Sequence, residues 1–417
     1  MTPNKPRALL FVSPSENRSA YFSAGLSHFY KLDLYYTRDK NFFGPTFYQW
    51  LYAKDTAFYP VHSLDDILKA QNSYDLIIVQ QDALGVFLKM FINQDTALEF
   101  LKKLKPKAKK FFWFEPGERL YFYCGRPEFW DLFDGVIKHH VLKKQFAHFL
   151  RDEKKAANFQ SPDVPNYAPF VAENKNFQVE NYYDKIIPYP FPPGLTDHYG
   201  LRWKNHKKIY DISGNTRGFS YQQTYLRSYL MDVLKRKLNP KFSYCFDYGS
   251  DGYVSNLSTW RRSLNPYLFK PFRIGELAFR LQYRKFVYPK PLYFHNLANS
   301  KTYFGLGAYF SATKTADAWQ SGAVLFNWSF EKCDYGIPMV DGYNYVSVGE
   351  RDEMSDDNYH LQPEFEDKIV SKVESVLNNE ALQNSIRENQ FKTYFDYYSS
   401  PAQFVKKIFI DKLKNSV

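Results

Sequence analysis

Along the first half of the chain, apolar runs of strand length alternate with segments whose apolar residues recur at helical spacing. The strand-like runs are ALLFVS (8–13), LDLYYT (32–37), DLIIVQ (75–80), KKFFWFE (109–115) and FDGVIKH (133–139). Between them, Ser15 to Tyr30 reads as a helix. SLDDILKAQ reads as another, opened by Ser63 as N-cap with acidic residues in its first turn, and DTALEFLKKLK as a third, opened by Asp95. Strand and helix in alternation predict a parallel sheet covered by helices on both faces.

The pattern stops at KIIPYPFPPGLTDHYG (185–200), where Pro188, Pro190, Pro192, Pro193 and Gly194 crowd together and favour an extended connection. It restarts with the strand-then-loop run KKIYDISGN (207–215), the amphipathic helix TYLRSYLMDVLKRKL (224–238) and the strand FSYCFDYG (242–249). The run SKTYFGLGAYFSATKTADAWQSGAVLFNWS (300–329) and IPMVDGYNYVSVGE (337–350) follow, and EFEDKIVSKVESVLNN and SPAQFVKKIFIDKLKN read as helices. The expected organisation is a Rossmann-like domain over 1–190, a second over 191–395, and a final helical segment over 396–417. Single cores stop growing near roughly 250 to 300 residues, so 417 residues suit two α/β domains.

Composition narrows the class without choosing a function. With 44% hydrophobic and 24% charged residues the chain is globular. No apolar run reaches the ~18 residues of a membrane span, and the N-terminal residues lack a cleavage pattern, so a cytoplasmic protein without signal peptide is expected. Cys124, Cys245 and Cys333 are too scattered for a disulfide framework or a zinc site. The net charge of +11 calls for an anionic partner, and nucleic acid, a membrane surface and a nucleotide-sugar all qualify.

The candidate chemistry centres on TADAWQSGAVLFN (315–327), a helix stopped by Gly322 before an apolar strand. A helix starting near Ala312 to Lys314 presents free N–H groups to a phosphate, with Ser311, Thr313 and Lys314 at its mouth. Asp317, one turn in, has the chemistry to accept both hydroxyls of a ribose. An ordinary capped helix before a core strand fits the same spacing. DAWQSGAVLF resembles the donor-binding region of GT-B glycosyltransferases, with an acidic residue, small residues, a glycine and an apolar strand. It is followed, as in that family, by a strand and loop, an acidic segment, a helix and a closing helix. The resemblance covers 207–417, and 1–195 match only as a generic Rossmann-like pattern. The chain departs from the family in carrying Asp317 where Glu is usual and in lacking a Gly-rich loop after its first strand.

The resemblance implies two Rossmann-like domains facing each other across a cleft. It also implies transfer of a sugar from a nucleotide-activated donor to a glycan or lipid-linked glycan of the bacterial surface. No metal or other cofactor is expected, since neither Asp-Asp pair, 65–66 or 356–357, has strand context. In DISGNTRGF (211–219), Ser213, Gly214 and Asn215 form an expected anion-binding turn, with Arg217 for phosphate; a plain strand-to-helix turn is the alternative. His295 is a further donor contact or a core histidine. At the end of the fourth strand Glu115 is the expected base for the acceptor hydroxyl, with His139 and His140 next in line. Glu118, Arg119, Ser13 and Asn17 are expected acceptor contacts, although capping explains Ser13 and Asn17 as well.

A nucleic-acid-binding protein is the first competing class, drawing on the basic, aromatic stretch 270–291. Its charges are spread over both halves and match no recognised module, so no nucleic-acid partner is expected. A nucleotide-sugar epimerase and a non-catalytic glycan-binding protein are the others. Beside an anionic inner leaflet, a basic enzyme with a lipid-linked acceptor would also touch the membrane.

Overall fold

The computed structural model describes residues 5–13, 17–37, 54–70, 73–88, 94–117, 122–123, 125–151, 176–192, 206–215, 221–245, 296–305, 313–350 and 361–415. Its strands in chain order are β1 (Arg7–Val12), β2 (Lys31–Thr37), β3 (Thr56–Val61), β4 (Tyr74–Gln80), β5 (Ala108–Glu115), β6 (Gly135–Lys138), β7 (Val141–Leu142) and β8 (Ile186–Pro188). They continue with β9 (Tyr210–Asn215), β10 (Phe242–Cys245), β11 (Ser300–Phe304), β12 (Val324–Asn327), β13 (Cys333–Asp334) and β14 (Val346–Ser347).

These strands form two parallel sheets and one antiparallel ribbon. The first sheet runs β3-β2-β1-β4-β5-β6-β8, the second β10-β9-β11-β12-β14, and β7 pairs with β13. Both sheets are doubly wound α/β units, as the alternation predicts. β1, β4 and the end of β5 are buried on both faces, which is why they read as unbroken apolar runs. β3 carries no such run: as the edge strand it leaves Phe58, Tyr59 and Pro60 exposed, and the proline blunts an edge that would otherwise pair.

Helix ends follow local chemistry. Asp66, in the first turn of the helix Leu64–Leu68, reaches back and accepts from the backbone N–H groups of His62 and Ser63 at 2.8 and 2.9 Å, which fixes the chain entering the helix. The helix Thr313–Ser321 stops at Gly322, whose φ of +69° suits glycine, and the next strand starts at once.

The last helices, Pro401–Val405 through Asp411–Asn415, lie on the first unit. Ser400 caps them by accepting from the Gln403 N–H at 3.1 Å. Phe404 meets the Tyr21 ring edge-on at 5.3 Å, and Phe409 meets Phe22 and Phe112 at 5.6 and 5.2 Å. Both phenylalanines are fully buried, each worth roughly 1.5 to 3 kcal/mol. Gly25 permits the approach: a Cβ there would lie 2.1 Å from the Pro401 carbonyl oxygen. Among the described residues no helix is long and apolar enough to cross a membrane.

Candidate active site

In doubly wound sheets, ligands bind beyond the carboxyl ends of the strands, at the point where strand order reverses. In the first sheet that point lies between β1 and β4. The Ser13 N–H there donates to Gln80 Oε1 at 2.8 Å, so the backbone of this expected acceptor contact is tied to the neighbouring strand. Asn17 is the first residue of the helix Asn17–Leu26. Glu118 and Arg119 lie outside the described residues.

Further along the same edge, Glu115 ends β5 opposite Lys138 of β6. Sequence reasoning places a base facing the cleft here, and the structure corrects that expectation. Glu115 is 2% exposed and its carboxylate is taken up by structural partners. Oε1 accepts from Trp113 Nε1 at 2.9 Å and from the Tyr123 N–H at 2.8 Å, while Oε2 accepts from Lys138 Nζ at 2.8 Å. Lys138 is itself buried, with its ammonium 4.9 Å from the Phe122 ring centre. A carboxylate so engaged neutralises a buried cation, and taking a substrate proton would dismantle the pair. The turn at Pro116–Gly117 therefore does not present a free base.

His139 and His140 follow β6 directly. The His139 N–H donates to the Glu115 carbonyl at 3.0 Å, and the Tyr189 N–H donates to the Lys138 carbonyl at 2.8 Å. The His139 ring places Nδ1 2.6 Å from the Tyr189 carbonyl oxygen. A carbonyl only accepts, so Nδ1 carries the hydrogen and Nε2 is the basic nitrogen of the neutral ring. The ring packs against His140 at 3.7 Å and against Phe191 at 3.8 Å, and both histidines are as buried as Glu115, but neither is held in an ion pair with Lys138. His140 has φ +61°, a left-handed conformation costly for a residue with Cβ and found where the surroundings impose it.

What imposes it is the ribbon that begins at the next residue. Val141 and Leu142 pair with Asp334 and Cys333, and the Lys143 N–H donates to the Lys332 carbonyl at 2.8 Å. The Tyr398 hydroxyl donates to the Phe191 carbonyl at 2.9 Å, a second tie between the two units beside the histidines. Burial in the ribbon pushes the Cys333 thiol up to about 12.

In the second unit the strand order reverses between β9 and β11. The turn expected over Ser213, Gly214 and Asn215 is strand: these residues pair with Ser243, Tyr244 and Cys245 of β10. Their backbone groups belong to the ladder, so the anion-binding turn does not form there. Arg217, His295 and Ser311 lie outside the described residues. Thr313 and Lys314 are the first residues of the helix Thr313–Ser321, which follows β11, the strand beside the reversal.

Asp317 lies one turn into that helix, 8% exposed, and its Oδ1 accepts from Gln320 Nε2 at 3.3 Å. The helix is buried from Thr315 to Ser321 and docks on Glu380–Tyr398 through Asn344. The Asn344 carbonyl accepts from Trp319 Nε1 at 3.0 Å and Gln390 Nε2 at 3.1 Å, while its side-chain amide reaches the Pro338 carbonyl at 2.7 Å. Among the described residues no three His, Cys, Asp or Glu side chains are grouped as metal ligands.

Sequence reasoning missed Lys138, Tyr189, Phe191 and Asn344. A lysine inside the apolar strand GVIK was a visible anomaly. Tyr189 and Phe191 were hidden in a proline cluster read only as a connection.

No family model matches the sequence, and no curated protein matches it. Among solved structures the chain is similar to the GtfA/B complex, at 11% identity and a TM-score of 0.43, over 85% of this chain and 59% of that one. It is also similar to UGT89C1 of Arabidopsis thaliana complexed with UDP, at 10% identity and 0.40, over 99% and 100% of the two chains. A third likeness is to S. aureus MnaA with UDP, at 11% and 0.36, over 99% and 98%. The chain thus spans 59% of the length of the first of these.

Proposed function

We propose that this chain is a glycosyltransferase of the GT-B type, moving a sugar from a nucleotide-activated donor to a saccharide or lipid-linked saccharide of a bacterial surface polysaccharide. One arrangement supports the reading. Two doubly wound parallel sheets lie in one chain, the first ending in a histidine of fixed tautomer and the second followed, beside its strand reversal, by a helix bearing Asp317.

In this reading the packing of the buried His139 ring against Phe191 opens to admit the acceptor, whose hydroxyl gives its proton to His139 Nε2 while its oxygen attacks the anomeric carbon. The bond from that carbon to the donor phosphate breaks, and its electron pair leaves on the nucleotide diphosphate, inverting the anomeric centre. First-turn N–H groups of the helix Thr313–Ser321, with Lys314, meet the leaving charge, and Asp317 accepts the ribose hydroxyls. The reading uses no metal or other cofactor. A net charge of +11 suits contact with an anionic membrane surface carrying a lipid-linked acceptor.

The test is a thermal-shift screen of nucleotides and nucleotide-sugars, followed by donor turnover with and without acceptor. A nucleotide at 100 times its dissociation constant adds about 2.7 kcal/mol, a readable shift that Asp317→Ala should diminish. A screen in which no nucleotide stabilises the protein refutes the reading. Free nucleotide together with an isomerised sugar, formed without acceptor, would replace it with an epimerase.

A further inference from the structure

A second feature of the first unit lies on its flank, away from the strand ends. Beyond the ribbon strand β7 the chain makes the 3-10 turn Lys144–Arg151, which packs on a second such turn, Val179–Lys185. Between them opens a cavity of about 490 Å³, lined by Arg151, Asn176, Gln178 and Glu180. That is the size range of small-ligand sites.

Its lining is built by alternation. Phe177 and Val179 are buried, so Asn176, Gln178 and Glu180 are turned outward between them. Phe177 is locked in an aromatic stack, 5.4 Å from Trp130 and 5.4 Å from Tyr182, which fixes the backbone that carries the three polar residues. Across the cavity Arg151 grips Glu180 with both nitrogens, at 2.8 and 3.0 Å.

The chemistry of the lining selects a ligand class. Two carboxamides and a fork-to-fork ion pair offer planar donors and acceptors side by side, matching adjacent hydroxyls on a sugar ring. The charges cancel within the pair, so a phosphate or uronate would have to win Arg151 from Glu180. Among the described residues, the rings of Trp130 and Phe177 behind the lining are buried in their own cluster and give a nucleobase no stacking face.

We propose that this cavity is a binding site for a neutral glycan chain, separate from the histidines. Binding there stands apart from the transferase reading; only its use, to hold a growing acceptor chain, rests on that reading.

The experiment uses the full chain on an array of immobilised neutral and anionic glycans, with Asn176→Ala/Gln178→Ala and Glu180→Gln as variants. Neutral glycans should be retained by the wild type and retained on the order of tenfold less by the double variant, as the loss of two hydrogen bonds to a neutral ligand allows. Both replaced side chains are exposed, so the double variant should keep its melting temperature. Glu180→Gln leaves Arg151 uncompensated and should raise retention of anionic glycans. His139→Gln, which probes transfer, should leave the array pattern unchanged. The proposal is overturned if the wild type holds no neutral glycan, if the double variant holds them equally well, or if His139→Gln alone abolishes retention.

Discussion

Replacing Glu115 by glutamine separates a structural carboxylate from a catalytic one. The amide oxygen can still accept from Trp113 Nε1 and the Tyr123 N–H, but the amide nitrogen then faces Lys138 Nζ, donor against donor. The buried Lys138 ammonium loses the carboxylate it is paired with, and breaking a buried pair by removing one partner costs about 3 to 5 kcal/mol. The Phe122 ring beside it is present in both proteins and returns nothing. Against a total stability of roughly 5 to 15 kcal/mol this is a large fraction. At about 2 to 4 °C per kcal/mol, the first unit should melt roughly 6 to 20 °C lower. Removing the ammonium as well, in Glu115→Gln/Lys138→Met, should recover part of the loss, and urea titrations of the singles and the double give the coupling. A single variant that melts with the wild type while losing transfer would refute this account and restore Glu115 as the base.

His139→Gln should lower transfer by about 10² to 10⁴ while nucleotides still raise the melting temperature; wild-type turnover would remove His139 as the base. Gly25→Val should push Pro401 and Val405 away, destabilising by about 1 to 3 kcal/mol and opening residues 401–415 to limited proteolysis, and an unchanged digestion pattern would count against that contact. Burial pulls Lys208 from its ordinary value near 10.5 down to about 7, with Arg387 adding to the shift. Between those values the unfolded chain holds a proton that the folded chain does not, so stability should rise with pH by up to about 1.4 kcal/mol per unit. Urea unfolding of the wild type should show this slope on the alkaline side of neutrality, and Lys208→Met should lose it.

The strands that carry the first sheet were legible because central parallel strands are buried on both faces: β1, β4 and β5 announce themselves as apolar runs. β3 was not, since an edge strand needs no such run, and its pairing is decided by β2 beside it. Ser213, Gly214 and Asn215 carry turn chemistry, and flanking strands on both sides overrode it. At the candidate site the residue types were visible and their partners were not. Glu115 meets Lys138 only through the register of β5 on β6, and His139 meets Tyr189 only once β8 has joined the edge. Register is a property of paired strands, and a linear pattern does not contain it.

The seat of residues 401–415 on the first unit bears on how the protein is made. A ribosome releases the whole first sheet, and then the whole second, before Phe404 and Phe409 emerge. Until they arrive, Tyr21, Phe22 and Phe112 lack the rings that cover them. The nascent first unit therefore carries an uncovered aromatic surface through most of translation. Residues 1–190 expressed alone would keep it permanently, so that fragment should aggregate or call on chaperones, and adding residues 401–415 as a separate peptide should rescue its solubility.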